Sequence, residues 1–69
     1  MASEIMQQYL TARQQADAYA HNGQIAEAVA HYDQAIELVP QAGFSQSQQQ
    51  LLLPLLRRRR ERVAAGDVL

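Results

Sequence analysis

The Asn22-Gly23 pair sits between two apolar seams of helical spacing, and no other feature restricts the fold as much. Before it, Ile5, Tyr9, Ala12, Ala16 and Tyr19 recur at intervals of four and three residues. After it, Ile25, Ala28, Tyr32, Ala35 and Val39 recur at intervals of three and four. Such spacing places each set on one face of an α-helix. Val29 and Ile36 flank the second seam and widen it to a core-facing stripe. Asn-Gly supplies the left-handed residue at which helices commonly end. Two amphipathic helices joined by so short a link form an antiparallel hairpin. Ala28 and Ala35 let a facing helix come close, and Tyr32 fills the space between them. Ser3 is a candidate N-cap for the first helix, and Glu4 suits its first turn. Pro40 should stop the second helix.

The chain beyond Pro40 supplies a cover for the hairpin. Gln41 to Phe44 reads as a turn, with Phe44 packing back onto the two helices. Ser45 with Gln48, and Ser47 with Gln50, are overlapping capping boxes for a third helix ending near Gly66. Pro54 interrupts that segment. Either one kinked helix runs through it, or a short helix precedes a second one that begins at Pro54. The flanking Gln and Leu residues, good helix formers, favour the single kinked helix. Leu52, Leu55, Leu56 and Val63 make its apolar face, with Arg59 or Arg60 laying a stem along it. Leu51 and Leu53 fall off that face, and five leucines in six positions exceed what one narrow seam buries. The expected fold is therefore all-α. It is one antiparallel three-helix bundle over residues 1–69, with helices at about 3–22, 24–39 and 46–65. Its expected core contains Tyr9, Ala12, Ala16, Tyr19, Gly23, Ile25, Ala28, Tyr32, Ala35 and Ile36.

Ala16, Tyr19, Gly23, Ala28, Tyr32, Ala35 and Pro40 also stand at the spacing of a tetratricopeptide repeat, which the stretch from Tyr9 to Pro40 resembles. Ala12 and Gln15 depart from that pattern, which usually has larger apolar residues there. The same hairpin with a third helix is similar to a microtubule-interacting and trafficking (MIT) domain. The MIT resemblance implies recognition of the tail segments of ESCRT-III-type proteins in membrane remodelling, along grooves beside the third helix.

At 69 residues the chain has little core to draw on, and with no cysteine it has neither disulfide nor thiolate metal site to help. The lack of cysteine agrees with a reducing compartment. No signal-peptide pattern is visible at residues 1–20, and no stretch approaches the length of a membrane span. A cytoplasmic location is expected. The net charge of −1 conceals a split. Glu4, Asp17, Glu27, Asp33 and Glu37 accompany only Arg13 in the hairpin, while Arg57 to Arg60 and Arg62 crowd the third helix. Such asymmetry can orient an intramolecular contact, a self-association or a partner.

Nothing in the chain assembles a reaction. His21 and His31 are isolated, and their i,i+4 neighbours Asp17 and Glu27 read as solvated helix pairs. There is no HExxH, nucleophile elbow or Gly-rich phosphate loop. An enzyme, a metal site and a cofactor are not expected. The candidate partner-binding residues are Leu51, Leu52, Leu55, Leu56, Arg57, Arg59, Arg60 and Val63, a leucine surface rimmed by arginine. They suit an amphipathic partner helix with acidic residues. The rival class is a homotypic assembly module that buries the same leucines against a second copy. A basic adaptor for nucleic acid or lipid is a lesser option, disfavoured by near-neutral charge and an acidic hairpin.

Overall fold

The computed structural model describes residues 2–66. The first helix, α1, is Ala2–His21, and α2 is Ile25–Leu38. A 3-10 turn over Val39–Gln41 leads to α3, Gln46–Ala64. The described residues form an all-α three-helix bundle in which α2 lies against both other helices. Asp17 of α1 bonds Tyr32 of α2, and Tyr19, later in α1, lies against His31, earlier in α2. Asp33 of α2 bonds Arg60 of α3, and Ile36, later in α2, shares a recess with Arg57, earlier in α3. Consecutive helices are therefore antiparallel, and α1 and α3 run the same way.

The first link is closed by its own backbone. The N–H of Gln24 donates to Tyr19 O at 2.9 Å and that of Gly23 to Ala20 O at 3.2 Å, the paired bonds of a Schellman motif. Gly23 has φ 77° and open space around its α-carbon, so backbone conformation, not crowding, selects glycine there. Gly23 is thus an exposed turn residue and not part of the core. Ile25 also leaves the expected core. It opens α2 at the hairpin tip and stays 41% exposed, since the seam there runs past the packed length of α1.

The rest of the seams meet as their spacing dictates. Ala12 and Ala16 of α1 and Ala28 and Ala35 of α2 are buried, with Tyr9 and Tyr32 filling the space around them. Tyr19 and Ile36 are half-buried against this cluster. Val39 and Ala42 extend the core into the second link, so the turn is part of the packing. The second helix stops just before Pro40, as expected. The α-helix stops at Leu38, and Pro40 falls in the first turn of the 3-10 segment, where a missing N–H costs nothing. The sequence places Ser3 at a cap, but the helix is already formed at Ala2, so Ser3 lies inside it.

The third helix is continuous through Pro54. Ser45 caps it. Its Oγ accepts from the Gln48 N–H at 3.2 Å, and Gln48 Oε1 accepts from the Ser45 N–H at 2.9 Å. The Ser47–Gln50 alternative therefore lies within the helix. Pro54 is exposed, and so is Gln50, whose carbonyl loses its helical donor to the proline. The face that α3 turns inward is Leu52, Leu53, Leu56 and Val63. Leu53 has joined it and Leu55 has left it, which shifts the expected stripe by part of a turn.

Candidate functional site

The partner-binding residues proposed from sequence separate into two groups once α3 is docked. Leu56 and Val63 are fully buried, so they belong to the core and offer nothing to a partner. Leu52 is half-buried. Arg59 and Arg60 turn inward and are engaged by carboxylates of the other helices. What remains at the surface is Leu51, 75% exposed, Leu55, 42% exposed, and Arg57.

The inward arginines join all three helices. Tyr32 donates its hydroxyl hydrogen to Asp17 Oδ1 at 2.5 Å. Arg59 lies 3.7 Å from the other oxygen of the same carboxylate. Arg60 Nε donates to Asp33 Oδ1 on the opposite flank of α3. Burial raises the Tyr32 phenol above its ordinary value, and the bond to Asp17 and its negative charge raise it further. The charges of Arg59 and Arg13 oppose that shift. Asp17 is thus occupied by α2 and α3, not by His21 one turn along its own helix. His31 bonds the backbone carbonyl of Glu27 at 2.7 Å instead of its carboxylate, and its ring lies 5.0 Å from that of Tyr19.

The outward side of α3 is built differently. Phe44 folds back so that its ring meets Tyr9 edge to face, with centroids 5.2 Å apart. The Gln49 side chain holds the Phe44 carbonyl at 3.1 Å. Phe44, Gln48, Leu51 and Leu52 line a shallow apolar recess of about 250 Å³. Leu10 of α1 is also 43% exposed. A second recess, between α2 and α3, has charged walls from Asp33, Arg57, Arg60 and Glu61 around Ile36. Arg58 and Arg62 were not among the sequence candidates, yet both are exposed. Their signal was present in their spacing from Leu51 and Leu55.

Among the described residues, no three of His, Asp and Glu come together as a metal site would need. No helix among them is long and apolar enough to cross a membrane. No protein-family model, curated protein or solved structure matches the chain.

Proposed function

We propose that this chain is a non-catalytic protein–protein interaction module that holds a short segment of a partner on the outward side of α3. The observation that carries this reading is the exposure of Leu51 and Leu55 beside an apolar recess, in a helix whose other leucines are packed. Contiguous exposed apolar surface of this kind marks contact sites. The tetratricopeptide-like hairpin and its third helix support the same class of function. If the MIT resemblance reflects ancestry, the segment is the tail of an ESCRT-III-type protein and the setting is membrane trafficking. A cytoplasmic place fits a cysteine-free chain.

Homotypic assembly is the second reading, favoured by the division of charge. Glu4, Glu27 and Glu37 are exposed on the hairpin, and Arg57, Arg58 and Arg62 on α3. Sedimentation equilibrium from about micromolar concentration upward separates the two readings. A monomer throughout supports recognition of a foreign segment. A dimer that Leu51→Glu dissociates would transfer the leucine surface to self-association.

A further inference from the structure

Gln48, Leu51, Leu55, Arg58 and Arg62 recur at intervals of three and four along α3, and all five are exposed. They form one straight seam, with two leucines after Gln48 in its first half and two arginines in its second. Its leucine half has a second wall. Asp17 of α1 meets Arg59 of α3, and these helices run in the same direction. Leu10 precedes Asp17 by as many residues as Leu52 precedes Arg59, about two helical turns. Leu10 is therefore level with Leu52 across the gap between α1 and α3. The cationic half has no ion-pair partner among the described residues. Arg59 and Arg60 form ion pairs with Asp17 and Asp33, whereas Arg58 and Arg62 make none among the described residues.

We propose that this seam docks a foreign amphipathic helix that runs antiparallel to α3, with carboxylates in its first half and leucine-type side chains in its second. The proposal rests on the protein-recognition reading above and specifies the partner. The intervals of three and four suit side-by-side helix packing. Gln48 to Arg62 covers about 21 Å of helix, so the partner segment needs about 15 residues. Its direction follows from electrostatics. Arg58 and Arg62 stand near the C-terminal end of α3, so an antiparallel partner brings its N-terminal half to them. Carboxylates are favoured at a helix N-terminus by its own dipole. A parallel partner would carry them at the end where that dipole opposes them. A second copy of the chain complements the seam poorly, because α3 brings arginines and no seam carboxylate. The recess beside the exposed Glu4 is lined by Gln7, Gln8, Thr11, Gln15 and Gln34, with Ala12 its only apolar residue to meet Leu51.

The test uses two fluorescein-labelled helical peptides of identical composition, each about 15 residues long. One places glutamates in its first two turns and leucines in its last two, and the other reverses the order. By fluorescence anisotropy the first peptide is expected to bind with Kd on the order of 10 µM, and the reversed one at least about tenfold more weakly. The double variant R58E/R62E should lose the first peptide by at least about tenfold and bind a version with lysine in place of glutamate. Leu51→Ala should weaken both forms, and its unchanged circular dichroism would exclude misfolding, since the side chain is exposed. Equal affinity for both peptides, or indifference to charge reversal, overturns the acidic antiparallel partner and leaves the protein-recognition reading standing. Failure of a monomeric protein to bind either peptide overturns the inference alone. A dimer broken by Leu51→Glu overturns both.

Discussion

Tyr9 and Tyr32 are both buried to within about a percent of their surface, yet their hydroxyls are treated in opposite ways. The Tyr32 hydroxyl bonds Asp17, whose carboxylate also faces Arg59, and Asp33 with Arg60 lies next to it along α2. The Tyr9 hydroxyl is buried with no partner among the described residues, and its ring packs against Phe44. One end of the bundle is therefore set by directional bonds that touch all three helices. The other is set by shape, with Val39, Ala42 and Phe44 supplied by the link before α3. Apolar burial stabilises without specifying angle, whereas a carboxylate shared by a phenol and a guanidinium restricts where each helix can lie. The outward seam repeats this polarity, with leucines at the Tyr9 end and arginines at the Tyr32 end. A helix docked there as proposed would be read by charge at one end and by shape at the other.

The largest expected effect comes from breaking the bonded end. Asp17→Ala strands the Tyr32 hydroxyl and removes the Arg59 contact, and should cost about 2–3 kcal/mol, read as a lower urea midpoint with an unchanged slope. A loss under about 0.5 kcal/mol would mean that water replaces the carboxylate and that the two ends do not differ. Tyr32→Phe keeps the packing and removes only the bond, so a smaller loss of about 1.5 kcal/mol is expected near neutral pH. The same pair of proteins separates further with pH. The folded-state phenol of Tyr32 is raised above its ordinary value of 10.0, so the fold favours its neutral form. Its contribution is complete below that value and declines as pH rises toward the folded one. Wild type should therefore lose about 1 kcal/mol more than Tyr32→Phe between about pH 10 and pH 11. Parallel declines would place the phenol in an unperturbed setting.

The hairpin was legible because its signals are local and periodic. Two seams, an Asn-Gly stop and Ser45 with Gln48 each act over a few residues, and each is found where its spacing puts it. Ile25 and Gly23 were misplaced because periodicity marks a face without marking where the neighbouring helix ends. Leu53 and Leu55 exchanged roles for a related reason. In so dense a leucine run several stripes are almost equally apolar, and Asp17 and Asp33 decide among them by drawing Arg59 and Arg60 inward. That choice depends on contacts between residues far apart in the chain. It also removed Leu56 and Val63 from the candidate surface and left Arg58 and Arg62 outside.

The smallest and most diagnostic expectation concerns the other tyrosine. Tyr9→Phe removes a buried hydroxyl that has no hydrogen-bond partner among the described residues, while the ring keeps its edge-to-face contact with Phe44. An unpartnered buried hydroxyl forgoes its bonds to water without recovering them in the fold. Its removal should therefore leave stability unchanged or raise it by up to about 1 kcal/mol, the reverse in sign of Tyr32→Phe. The residual void is smaller than a methyl group, so the cavity penalty stays below that gain. Paired urea titrations of the two Phe variants decide the matter. Opposite signs would show that the bundle is bonded at one end and merely packed at the other. A loss of about 1 kcal/mol or more in Tyr9→Phe would mean that the Tyr9 hydroxyl is bonded in solution, and that both ends are held by directional contacts.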